Sequence, residues 1–94
     1  MKLGQLFCTS GIQQLVQEKK LKIKDIVAAV ARFEKNDFGL LCEEDKILQD
    51  EIIKNGYTNQ MLLGIFMCNN IKFWIINEET GQKHITTILL PSEY

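Results

Sequence analysis

A chain of 94 residues, 46% apolar and 24% charged, suits one domain with a modest core and is too apolar for a disordered segment. A net charge of −1 excludes the basic excess of a typical nucleic-acid binder and the heavy acidity of a DNA mimic. The near-neutral total hides a split, because residues 1–36 hold seven Lys and Arg against three Asp and Glu while residues 37–94 hold four against nine. The simpler reading is that these charges solvate helix faces, and the alternative is a surface dipole that orients a charged partner.

Residues 3–8 are short and partly apolar, and they predict a strand that ends at Thr9-Ser10-Gly11. Thr9 or Ser10 supplies the N-cap of a first helix, with Ile12, Leu15 and Val16 on one face and an end near Lys19. Ile23, Ile26, Val27, Val30 and Ala31 repeat that spacing and predict a second helix over residues 23–35. Asn36-Asp37-Phe38-Gly39 stops it, since Asn and Gly tolerate positive φ. A third helix starts near Cys42, with Glu43, Glu44 and Asp45 in its first turn, where carboxylates face unpaired N–H groups. Ile47, Leu48, Ile52 and the stem of Glu51 form its expected inner side, and Asn55-Gly56 its C-terminal cap. Residues 60–68, 71–77 and 84–90 are rich in Ile, Phe, Trp and Thr and predict three strands. Asn69-Asn70 fits a two-residue hairpin, and residues 78–82, with Gly81, a longer hairpin loop.

The expected fold is a single α+β domain over residues 1–94. It has an N-terminal strand, three helices, then a three-stranded antiparallel meander, with the helices packed on one sheet face. In the middle strand Ile71, Phe73 and Ile75 alternate with Trp74 and Ile76, so both faces are apolar. The second face must be covered by the tail Pro91-Ser92-Glu93-Tyr94, by a loop or by another chain.

Catalytic chemistry finds little support. Glu43 and Asp50, and likewise Glu44 and Glu51, share a helix face, and paired carboxylates can bind Mg²⁺ or exchange protons. Dipole neutralisation and pairing of Asp50 with Lys46 and Lys54 explain the same residues more simply. His84 opens a strand beside Lys83 with no nucleophile in a recognisable motif. Cys42, at a helix start, is either a reactive thiol or, as the simpler reading, a small buried hydrophobe. Cys8, Cys42 and Cys68 are odd in number, widely spaced and remote from His84, which argues against zinc and for reduced thiols. No catalytic residue, cofactor or metal site is expected. The start of the chain lacks the apolar run of a leader, and no segment approaches the ~20 apolar residues of a membrane span, so the expected place is the cytoplasm.

Five blocks carry a resemblance. They are Asp37-Phe38-Gly39, Leu41-Cys42-Glu43-Glu44-Asp45, Gln49-Asp50, Trp74-Ile75-Ile76-Asn77-Glu78 and Thr86-Thr87-Ile88-Leu89-Leu90-Pro91-Ser92-Glu93-Tyr94. In this order they resemble a family of small proteins carried by plasmids, integrative elements and phages, labelled plasmid-related protein or type I restriction endonuclease subunit M. Phe38 stands where the family has Trp, Gln49 where Asn is common, and residues 17–24 are longer and more basic. The resemblance implies carriage on a mobile element and brings no catalytic residue. The subunit M label does not fit, because a methyltransferase needs a cofactor-binding α/β domain far larger than this chain.

The leading expectation is a non-enzymatic accessory protein, monomeric or homodimeric, that binds a protein partner. A host nuclease complex is the expected target, as in inhibition of a CRISPR nuclease or restriction enzyme. Glu43, Glu44, Asp45, Asp50, Trp74 and Tyr94 are its candidate contact residues. The first alternative is a nucleic-acid-binding or regulatory module built on Lys19, Lys20, Lys22 and Lys24, which lack an interleaved aromatic for base stacking. The second is a small-ligand binder or enzyme with the acidic helix near its site.

Overall fold

The change from a 3.6-residue to a 2-residue apolar period after Gly56 becomes a change from helices to strands. A computed structural model describes residues 1–56, 60–81 and 83–94. Its elements are β1 (Gln5–Cys8), α1 (Ser10–Gln17), α2 (Ile23–Glu34), α3 (Glu43–Lys54), β2 (Met61–Cys68), β3 (Ile71–Thr80) and β4 (Lys83–Leu89), closed by a 3-10 turn at Pro91–Glu93. The order is the expected one. Local chemistry sets the boundaries: Thr9 caps α1, its hydroxyl accepting from Ile12 N–H at 3.5 Å. Asn36 and Gly56 leave α2 and α3 at positive φ, and Asn69 and Asn70 turn the β2–β3 hairpin at φ 51° and 63°.

The sheet order is β1-β4-β3-β2. β2, β3 and β4 form the antiparallel meander, and β1 joins the β4 edge in parallel, with Gln5 opposite Ile85 and Cys8 opposite Ile88. This register places Leu6, Cys8, Leu62, Gly64, Phe66, Phe73, Ile75, Asn77, Thr86 and Ile88 on one face. Ile12 of α1 and Ile26, Ala29 and Phe33 of α2 bury against that face, and four phenylalanines fill its centre. Phe33 meets Phe38 edge-on at 6.0 Å, and Phe66 stacks on Phe73 at 6.2 Å. Gly64 makes room for this cluster, because a Cβ there would lie 2.7 Å from the Phe33 ring.

Three expectations about faces and ends are corrected. Ile23 and Val27 are 65% and 60% exposed, and Ala31 is exposed too, because α2 turns Ile26, Ala29 and Phe33 to the sheet instead. On α3, Ile47 and Leu48 are 59% and 57% exposed, and Glu51 is exposed. The inner side there is Gln49 with the partly buried Ile52 and Ile53. Glu78, Glu79 and Thr80 are strand rather than loop, paired opposite Ile85, His84 and Lys83, and residue 82 of the expected loop lies outside the described residues.

Residues 2–4, partly read as strand, instead dock by their backbone. Asn77 Nδ2 donates to the Lys2 carbonyl at 3.0 Å and to Thr86 Oγ1 at 2.9 Å, and Thr86 Oγ1 donates to the Leu3 carbonyl at 2.7 Å. This explains two fully buried polar side chains in the sheet, since each finds its hydrogen bonds there.

The two outer edges of the sheet differ. At β2, Leu40 N–H donates to the Ile65 carbonyl at 2.8 Å and Ile65 N–H to the Phe38 carbonyl at 3.1 Å. Gly39 permits this approach, having φ +66° and a Cβ direction that would end 2.0 Å from the Ile65 oxygen. One step along, Gln49 Nε2 donates to the Leu63 carbonyl at 3.0 Å and Leu63 N–H donates to Gln49 Oε1 at 2.8 Å. A single amide thus imitates a neighbouring strand and seats α3 on the β2 edge. β1, at the other end, is bonded through its ladder to β4 alone.

The tail covers part of the second face. Tyr94 packs on Trp74 with ring centroids 5.5 Å apart, and its hydroxyl lies 3.7 Å from Met61 Sδ. Glu93 fastens the tail to α1: Thr9 Oγ1 donates to Oε1 at 2.5 Å, Leu90 N–H to Oε1 at 2.9 Å and Gly11 N–H to Oε2 at 3.0 Å. The Thr9 hydroxyl, then the Leu90 and Gly11 amides, hold this carboxyl below its ordinary value of 4.5. A depressed folded value means that the stabilisation is complete above the ordinary value and lost as pH falls through the lowered one. As pH falls from the ordinary value of 4.5 through the lowered one, the tail is expected to leave Trp74, shifting its fluorescence, and Glu93→Gln should flatten that part of the transition. An acid shift of the same size in Glu93→Gln would assign the effect to other carboxylates.

Candidate functional site

The acidic candidates lie where the helix start needs them. Cys42 precedes α3 in an extended conformation without capping its N–H groups by side chain, and Glu43, Glu44 and Asp45 follow in the first turn. Cys42 is exposed, which corrects the expectation of a buried hydrophobe. Lys46 pairs with Glu43 at 3.5 Å, so the lysine expected beside Asp50 reaches back one turn instead. With Gln49, Ile52 and Ile53 turned to the protein, helical spacing leaves Ile47 and Leu48 on the outer face among Glu43, Glu44, Asp50 and Glu51. Leu40, just ahead of the helix, is exposed as well.

Trp74 and Tyr94 belong elsewhere. They pack together, rings tilted by 59°, on the sheet face opposite α1 and α2, with Trp74 half-buried. The six candidate contact residues therefore fall into two groups, an acidic helix at the β2 edge and an aromatic cover on the open face.

Lys19, Lys20, Lys22 and Lys24 are exposed around the α1–α2 connection. Lys20 pairs with Glu18 at 3.2 Å, and its carbonyl accepts from Asn69 Nδ2 at 3.3 Å, which ties the basic turn to the β2–β3 hairpin.

A third feature escapes sequence reading. α1 and α2 part over β1 and leave a groove of about 530 Å³ walled by Leu6, Ile12, Val16, Ile23, Val27 and Val30. The Ile23-Val27-Val30 stripe is visible in the sequence, but it reads as core there. Gln13 lies at this groove, with Nε2 donating to the Cys8 carbonyl at 2.8 Å.

Burial raises the Cys8 thiol, and burial followed by the charge of Asp25 raises Cys68, so both are held further from the nucleophilic thiolate. Arg32, then the Gly39 amide, hold Asp37 below the usual carboxylate range. Arg32 Nε donates to Asp37 Oδ2 at 2.7 Å while its guanidinium lies 5.1 Å from the Phe66 ring centre, and Gly39 N–H donates to Asp37 Oδ1 at 3.0 Å. This set shapes the turn that carries residues 38–40 to the β2 edge. His84 opens β4 opposite Glu79. Among the described residues no grouping of His, Cys, Asp and Glu is arranged to hold a metal ion, and no helix is long and apolar enough to cross a membrane. Comparison with family models, curated proteins and solved structures finds no match.

Proposed function

We propose that this protein works by binding another protein, and that the outer face of α3 makes the contact. The observation that carries this reading is the exposure of Ile47 and Leu48 among Glu43, Glu44, Asp50 and Glu51 on a helix whose opposite side is fixed to the sheet. Apolar side chains supply anchors and the surrounding carboxylates select and steer a basic partner surface. A nucleic-acid-binding cleft is such a surface. On the expectation of mobile-element carriage, which rests on the family resemblance alone, the fitting target is a host defence nuclease, inhibited by occlusion of that cleft.

Tagged protein should recover one basic host complex from a native lysate, and binding of the purified pair should weaken with salt. Leu48→Arg should lower the affinity at least about tenfold without lowering the melting temperature, since Leu48 is exposed. Equal affinity for Leu48→Arg, Ile47→Arg and the parent chain would exclude this face. The alternative contact, nucleic acid on Lys19, Lys20, Lys22 and Lys24, rests on four exposed cations around one turn. A salt-dependent gel shift lost in their alanine variants would favour it.

A further inference from the structure

We infer that two copies of this chain join through their β1 strands, across a two-fold axis, and merge the two four-stranded sheets into one. Thr9 N–H donates to the Ile88 carbonyl at 3.1 Å, so by strand alternation Gln5 and Phe7 also turn their backbone groups to β4. Leu6 and Cys8 then direct theirs away from the sheet, where Gln13 Nε2 takes one lone pair of the Cys8 carbonyl at 2.8 Å and leaves the second lone pair for a partner. The two edges are covered to different extents: Gln49 and residues 38–40 meet both donors and acceptors of β2, whereas at β1 Gln13 reaches a single carbonyl and Gln5-Leu6-Phe7-Cys8 has no charge, proline or bulge to discourage pairing.

Apolar side chains surround this free edge on both faces. Leu6, Ile23 and Val27 are exposed on the groove side, and Phe7 is half exposed on the other. Antiparallel pairing centred on Phe7 sets Leu6 of each copy opposite Cys8 of the other, and these residues exchange N–H···O=C bonds in two reciprocal pairs. Phe7 then faces its own copy at the close, non-hydrogen-bonded position, where aromatic pairs gain most. Leu6 of the second copy extends toward the groove side, where the two grooves meet and the exposed stripes of α2 gain apolar neighbours. A second copy fits better than a foreign strand because the uncharged edge repels nothing in its own image, and because β2, the far edge of each copy, is already blocked. Growth therefore stops at two. α3 lies on that far edge, so the pairing leaves the face assigned to partner binding untouched.

Sedimentation equilibrium of the parent chain should give twice the 10.9 kDa chain mass at about 100 μM. Phe7→Lys and Leu6→Lys, both at exposed positions, should raise the dimer dissociation constant at least tenfold while retaining the parent's circular dichroism. In a Cys8→Ser, Cys42→Ser background, Phe7→Cys should form a disulfide-linked dimer under mild oxidation. The close antiparallel pair sets its Cα atoms about 4.5 Å apart, within disulfide reach. Met67→Cys, on the same face but away from β1, should remain uncrosslinked. A monomeric parent chain, including one that pairs only with a foreign strand, would overturn the inference. So would a dimer that survives both lysine substitutions and gives no Phe7→Cys crosslink.

Discussion

Replacing Gln49 by Leu is expected to lower the unfolding free energy by about 2 kcal/mol although it conserves most of the side-chain volume. The Gln49 amide is buried, and both of its ends are used, one accepting from Leu63 N–H and the other donating to Leu63 C=O. Leucine leaves the two backbone groups facing an apolar branch, and an unmet buried donor or acceptor costs about 1–3 kcal/mol. Partial access of water to the edge keeps the sum toward the low end. Gln49→Glu keeps the acceptor, loses the donor and sets a charge beside a carbonyl, so it should be no milder near neutral pH. Denaturant unfolding measures both, and light scattering should show that the leucine variant self-associates through the uncovered β2 edge. A leucine variant as stable and as monodisperse as the parent would mean that α3 is held by Ile52 and Ile53 alone.

Trp74→Ala is expected to cost about 3 kcal/mol, the lower part of the range for large aromatic truncations, because Trp74 is half-buried rather than enclosed. The loss has two sources, the indole's own packing on β3 and the seat it offers Tyr94 at 5.5 Å. Tyr94→Ala should therefore cost less, about 1 kcal/mol, and the double variant should show a coupling of about 0.5–1.5 kcal/mol. If Trp74 instead anchors a partner, the alanine variant will unfold at the parent's denaturant midpoint and lose association only. Sedimentation beside the unfolding curves separates the two results.

Punctuation was legible in the sequence. Thr9, Asn36, Gly56 and the Asn69-Asn70 pair act through their own backbone preferences, which owe little to distant residues, and each sits at the boundary that chemistry predicts. Helix rotation was not legible. Ile23-Ile26-Val27-Val30 and Ile26-Ala29-Phe33 are overlapping stripes of one helix, and only the position of the sheet decides which is covered. On α3 the deciding side chain is polar, and periodicity assigns a glutamine to solvent although its amide can close a strand edge. Glu78 and Glu79 read as loop because charge outweighs β-propensity locally, yet pairing with β4 extends β3 through both. The acidic part of the candidate site was visible as a block. Its apolar companions Ile47 and Leu48 were hidden by their assignment to the core, and the groove by its assembly from separate segments of chain.

The pairing of Gln5 with Ile85 also sets an order of events in folding. β2, β3 and β4 meet through short turns, so the meander can zip from its hairpins within microseconds to milliseconds, whereas β1 must close a loop of nearly the whole chain before its first ladder bond forms. β1 is thus the last strand to arrive and, with the least buried surface, the first to fray. In the monomer, below the dimer dissociation constant, amide exchange should be fastest in this strand and slowest in β3, and a refolding chain passes through a stage in which the β4 edge stands bare. At high concentration β1 of another molecule can fill that edge first, so the topology that makes this strand slow also makes it the element most easily exchanged between chains.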